Sequence, residues 1–194
     1  ESQISAMNTL NSSFKTQVDS AILDLDTVSV NINYSNMSKS ILDQKFDLNI
    51  SDSMLSDMSD LFISLSGTEL KADQVNLYDF SGYVLQAGLS TMVKKTDDSR
   101  TEWLQKAREA DGRKVITNPY LTYEYSKAAK YFQWMISVYR SFTNQYRRSV
   151  GVIETAKQCK SIFKSIISYE KKNHDDAASV YVFNQDGDLI YPYD

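Results

Sequence analysis

No glycine occurs before Gly67 and no proline before Pro119, so the opening third of the chain lacks the two residues that most readily stop a helix. Within it, Ile4, Met7, Phe14, Val18, Ala21, Leu25, Val28 and Ile32 recur at steps of three, four or their sum, with Leu10 and Ile22 beside them. That spacing lines one face of an α-helix. A helix over 3–39 is about 50 Å long, whereas a compact globule of about 150 residues is only about 40 Å across. Such a helix protrudes as a stalk. The alternative is a core helix broken between Asn31 and Asn36, where Asn, Val and Ser weaken helical propensity.

The remainder alternates helical and strand-like patterns. Ser51 to Ser66 reads as a second helix, with Leu55, Met58, Phe62 and Leu65 on one face, Ser51 or Asp52 as its cap and Gly67 as its stop. Val75–Phe80 and Tyr83–Ala87 flank Ser81-Gly82 as a hairpin. A short helix capped near Thr96 to Asp98 carries Trp103, Leu104, Ala107 and Ala110 to Gly112, and a brief strand Val115–Thr117 ends at Asn118-Pro119. The following loop holds Tyr120, Tyr123, Tyr125 and Tyr131. Strands at Tyr131–Phe142 and Ser149–Thr155 pair antiparallel, a helix runs from Ala156 to about Lys171, and a last hairpin joins Val180–Phe183 to Leu189–Tyr191.

With 42% hydrophobic residues, 194 residues bury a real core and exclude a disordered chain. A net charge of −4 argues against nucleic acid as a partner; Arg147-Arg148 and Lys171-Lys172 read as solvated surface. The single Cys159 excludes an intrachain disulfide and reads as a small core residue. Beginning at Glu1, without a signal peptide or an 18-residue apolar run, the sequence reads as a fragment or mature portion whose membrane attachment lies outside it.

Marked catalytic chemistry is absent. No Walker loop, G-x-G-x-x-G, H-E-x-x-H or C-x-x-C appears, so neither a metal nor a cofactor is expected. His174, the only histidine, sits in the hydrophilic stretch Lys172 to Asp176. Ser-x-x-Lys at Ser12 and Ser161 lacks its companion elements and lies on helices already explained by their apolar faces. The domain is therefore not expected to be an enzyme.

The long first helix, the Val75–Ala87 hairpin, the run from Trp103 through Gly112 to Ile116-Thr117-Asn118-Pro119-Tyr120, and Ser149-Val150-Gly151-Val152-Ile153 together resemble the Cache domains of bacterial transmembrane receptors. These are PAS-like extracytoplasmic sensors, and the likeness is closest to the double Cache regions of sensor histidine kinases. The resemblance implies an α+β fold with a long N-terminal helix packed on a PAS-like antiparallel sheet. It divides the chain into a helical stalk and second helix at 1–66, a membrane-distal module at 67–175, and a hairpin at 176–194 that starts a truncated membrane-proximal module or closes the first one. It also implies a cell-membrane, extracytoplasmic location. Amino-acid-sensing members hold their ligand with a Trp-Tyr pair, a preceding Arg, a downstream Tyr and a strand Asp. Here Trp103 matches the Trp, Leu104 stands where that Tyr would be, Arg100 lies near the expected Arg, and the strand after Gly151 offers Glu154 and Thr155.

The expected pocket is bounded by the Trp103 helix, the Tyr120 loop and one face of the central strand, and its ligand-binding residues are Trp103, Tyr120, Tyr123, Tyr125 and Arg140. Arg140 among tyrosine rings suits an anionic ligand, a sugar or a peptide. The expected function is ligand sensing for a two-component histidine kinase, signalled through the long helix, whose stripe also suits a homodimer. The alternatives are the same sensor on a chemoreceptor or a cyclic-nucleotide enzyme, and a structural interaction module.

Overall fold

Helix α1 runs unbroken over Ser2–Tyr34, and a single non-helical residue, Ser35, separates it from α2 at Asn36–Leu42. The helix expected over 3–39 is therefore two helices, with the break inside the Asn31 to Asn36 interval that the alternative reading names. Ser35 receives the Ser38 N–H on its Oγ at 3.5 Å and the Lys39 N–H on its carbonyl at 3.2 Å, so it caps α2 while its own side chain competes with continuation of α1. This computed structural model describes residues 2–42, 50–122, 132–144, 146, 148–173 and 179–193. Tyr123, Tyr125, Tyr131 and His174 lie outside them.

Helix α3 (Asp52–Ser66) begins at Ser51, whose Oγ accepts the Met54 N–H, and ends at Gly67 with φ +66°. Six strands follow one another in space in the order β3 (Met92–Lys95), β2 (Tyr83–Gly88), β1 (Gln74–Asp79), β7 (Ser149–Gln158), β6 (Gln133–Thr143) and β4 (Val115–Ile116), while β5 (Tyr120–Thr122) pairs with β6 beyond β4. Every pairing is antiparallel. Between β3 and β4, a turn of 3-10 helix at Asp98–Arg100 leads into α4 (Thr101–Glu109). The chain closes with α5 (Cys159–Ile162), α6 (Lys164–Lys172) and the hairpin β8 (Val182–Phe183) and β9 (Leu189–Tyr191).

Two strands, β3 and β5, lie where none is expected from the sequence: Met92–Lys95 is half lysine, and Tyr120–Thr122 falls in the loop after Pro119. Strand β7 continues past Thr155 into what reads as helix. Ala156 is held by Gln74 of β1 and Ser137 of β6, Gln158 sits opposite Met135, and the Gln158 N–H is bound by Asp73 Oδ2 at 2.8 Å. The helix expected over 156–171 consequently starts at Cys159 and is divided at Phe163, whose backbone leaves the helical region.

Alternation along the strands gives the sheet two unlike faces. One presents Val75, Leu77, Leu85, Ala87, Val138, Phe142 and Ile153, all buried against Leu25, Val28 and Ile32 of α1 and Met58 and Leu61 of α3. Burying five aliphatic side chains of this size supplies roughly 10 kcal/mol of transfer free energy before entropy is charged. Further down α1, Phe14 and Val18 pack with Phe163, Ile166 and Tyr191, which seats α5, α6 and the last hairpin against the helix. Ile4 and Met7 continue the same stripe but are 68% and 65% exposed, so the first turns of α1 stand clear of the sheet.

Candidate functional site

The opposite face is polar at its centre. Gln74 and Asn76 alternate with Val75 and Leu77 on β1, and Gln86 sits between Leu85 and Ala87 on β2; all three amides are fully buried. The register sets Gln86 of β2 opposite Asn76 of β1, Asn76 opposite Glu154 of β7, and Glu154 opposite Tyr139 of β6. A row of polar side chains therefore crosses four strands on one side of the sheet.

Glu154 is its centre, with no exposure to solvent. Its Oε2 accepts Asn76 Nδ2 at 2.7 Å and the Tyr78 hydroxyl at 2.5 Å; its Oε1 accepts the Ser137 hydroxyl at 2.6 Å and the Tyr120 hydroxyl at 3.0 Å. Arg100, 4% exposed, brings Nη1 to 4.0 Å from Oε1 and 3.4 Å from the Tyr139 hydroxyl. Burial alone raises a carboxyl pKa, but the Arg100 charge and the hydrogen bonds from Ser137, Tyr78 and Asn76 outweigh it and hold Glu154 below the ordinary glutamate value. Burial, reinforced by the Glu154 charge, pushes the Tyr139 phenol well above its usual value, so it stays protonated.

Helix α4 covers this cluster because its one buried face carries Ala107 with Trp103 and Leu104 beside it, packed on Tyr78, Val84, Tyr139 and Val152. The Trp103 ring stacks on Tyr139 with centroids 6.4 Å apart and planes 16° from parallel. The Arg100 guanidinium lies 4.5 Å from the centroid of the Tyr120 ring. Asp97 caps the turn that delivers Arg100 by accepting the Ser99 N–H at 2.8 Å. A buried carboxylate and a buried guanidinium thus sit side by side, the guanidinium against the Tyr120 ring and Trp103 stacked on the neighbouring Tyr139.

Of the residues expected in the pocket, Trp103 stacks on Tyr139 and Tyr120 donates to Glu154, so both border the buried cluster. Arg140 does not: even-numbered residues of β6 face α1, and Arg140 there ion-pairs with Asp26 and donates to Gly112 O and, at 3.1 Å, to Ser29 Oγ. Its guanidinium is held by the helix on the far side of the sheet, which corrects its assignment to the pocket. The residues left out of the sequence-based site are Glu154, Arg100, Asn76, Tyr78 and Ser137. The family resemblance points at Arg100 and Glu154; the signal for Asn76, Tyr78 and Ser137 is polar residues at every second position of otherwise apolar strands, a pattern that also describes a strand with a wet face.

No family model matches the sequence, and no curated protein matches it. Solved structures do share its fold. The ligand-binding domain of the Pseudomonas aeruginosa amino acid chemoreceptor PctC, in complex with GABA, aligns with a TM-score of 0.60 over 98% of this chain and 74% of that one at 13% identity. The extracellular domain assigned to a histidine kinase aligns with a TM-score of 0.59 over 85% and 58% at 12% identity. The ligand-binding domain of the Campylobacter jejuni chemoreceptor Tlp3 with 4-methylisoleucine aligns with a TM-score of 0.50 over 93% and 69% at 17% identity. The architecture is therefore the α+β fold of sensory domains, a long helix on an antiparallel sheet.

Proposed function

We propose that this chain is the extracytoplasmic ligand-sensing domain of a membrane receptor and binds a small amine-bearing molecule between Glu154, Arg100, Trp103 and Tyr120. The observation that carries the reading is Glu154, at zero exposure and 4.0 Å from the buried Arg100 guanidinium. A buried carboxylate is expensive to hold even with four hydrogen bonds and Arg100 about it. It suits a ligand ammonium, while Arg100 suits a carboxylate. PctC and Tlp3 are described with GABA and 4-methylisoleucine, molecules that carry both groups. With Arg140 engaged by α1, a purely anionic ligand or a sugar has less support than an amino acid or a peptide.

In this reading 67–175 is the membrane-distal module on the 1–66 stalk, 176–194 opens a membrane-proximal module, and the receptor is anchored through segments outside this chain. Ligand binding favours one of two placements of α1, which needs several kcal/mol of differential affinity to switch the receptor. The output in this reading is a histidine kinase; the chemoreceptor neighbours favour a chemoreceptor as the second reading. Autophosphorylation of the full-length protein separates the two.

A thermal-shift screen of amines, amino acids, peptides, sugars and organic acids tests the site. An amine-bearing compound is expected to raise the melting temperature of the wild type, and Trp103→Ala and Glu154→Gln are expected to remove the shift. A shift that survives both substitutions rejects this site.

A further inference from the structure

We infer that the binding site extends from Glu154 across β1 to Gln86 of β2, where the carboxamide takes an acceptor oxygen at the far end of the ligand; this rests on the site proposed above. Two of the three buried amides on this face are closed by the protein. Gln74 Nε2 donates to Asn76 Oδ1 and to Ser90 O, both at 3.1 Å, and its Oε1 accepts the Ser90 N–H at 3.1 Å. Asn76 in turn donates to Glu154. Gln86 is equally buried, at 0% exposure, yet its Nε2 has no hydrogen-bond partner among the described residues, and its Oε1 has only the Ser90 hydroxyl at 3.5 Å.

A buried donor without a partner costs its full desolvation and is rare in folded proteins. Leucine would fill the position without that penalty, as Leu85 does one residue earlier on the apolar face. The place of Gln86 in the row Gln86–Asn76–Glu154 explains why an amide stands there. Strands β2 and β7 lie two strand spacings apart, about 10 Å. A ligand that reaches both side chains has to span that distance with a short aliphatic chain. The ligand class is a primary amine carrying a carbonyl or carboxylate oxygen several bonds away, as in an ω-amino acid or a small peptide.

Calorimetric titration with δ-aminovalerate and n-pentylamine, two amines of equal chain length of which only the first has the acceptor, tests the extension. Gln86→Leu is expected to bind n-pentylamine within about twofold of the wild type and δ-aminovalerate about five- to tenfold more weakly. Its ligand-free melting temperature is expected to equal or exceed that of the wild type. Equal effects on both probes, or a melting temperature several degrees lower, would overturn the extension and leave the Glu154 site standing. Binding of n-pentylamine that withstands both Glu154→Gln and Trp103→Ala, or wild type that binds neither probe, rejects the site itself and the extension with it.

Discussion

Arg140 of β6 ion-pairs with Asp26 of α1 on the side of the sheet facing away from Glu154. The same guanidinium donates to Gly112 O in the turn after α4, and Lys114 Nζ lies 2.9 Å from Asp26 Oδ2. Asp26 thereby gathers three elements, the long helix, the central strand and the end of the helix that covers the site. The two partners are 13% and 17% exposed, so solvent screens them only in part. Arg140→Ala is expected to destabilise the protein by about 1–3 kcal/mol, and its cycle with Asp26→Ala to give a coupling of about 1 kcal/mol. Urea unfolding measures both; additive losses would show that the pair contributes nothing beyond proximity.

Glu154 holds its proton more weakly in the folded protein than in the unfolded chain. Its contribution is therefore complete above the ordinary glutamate value and is lost as pH falls through the folded one. Urea midpoints measured downward from about pH 7 are expected to drop below about pH 5 in the wild type. Glu154→Gln is expected to start lower, because Arg100 is left buried without its countercharge, and to fall less steeply over the same window. Parallel pH profiles for the two proteins would contradict the assignment of an ionised Glu154.

Gly151 lies where β7 passes β1, and a Cβ added there would sit 2.5 Å from the Tyr78 carbonyl oxygen. Backbone cannot retreat as a side-chain tip does, so the β1–β7 ladder would have to shift. Gly151→Ala is expected to cost about 2 kcal/mol or more, read as a lower urea midpoint at unchanged slope.

Cys159 is fully buried in the cluster under α1, and burial pushes its thiol pKa up to about 12. The folded protein is expected to react with Ellman's reagent only as fast as it opens, with full reactivity in concentrated urea. Rapid labelling of the native protein would show that this corner is accessible.

Elements with strong local signals were legible in the residue order. Ser51 and Gly67 bracket α3 as cap and stop because their preferences act within a few residues, and Ser81-Gly82 turns β1 into β2 for the same reason. On α1, Phe14, Val18, Leu25, Val28 and Ile32 are buried and Ala21 is half-buried, as their spacing predicts. These give the helices and the hairpin; the packing of a long helix on an antiparallel sheet is what the family resemblance implies, and the structure has it. By contrast, β7 runs to Gln158 only because two neighbouring strands hold its backbone; the break after Tyr34 lies where weak helix formers allow one, and Ser35 fixes it by capping α2.

The site shows the same division more sharply. Chain periodicity separated even from odd residues on β6, which determined that Arg140 and Tyr139 point to opposite faces of the sheet. Which face meets α1 and which meets α4 depends on layers brought together from distant parts of the chain, and that choice gave Arg140 to Asp26 and Tyr139 to Trp103. Glu154 became a buried charge by the same process: its partners Asn76, Arg100, Tyr120 and Ser137 are spread over more than sixty positions and meet only once three strands and a helix turn are in register. Local physics decides what each segment can become; the pairing of segments decides which polar groups must satisfy one another away from water.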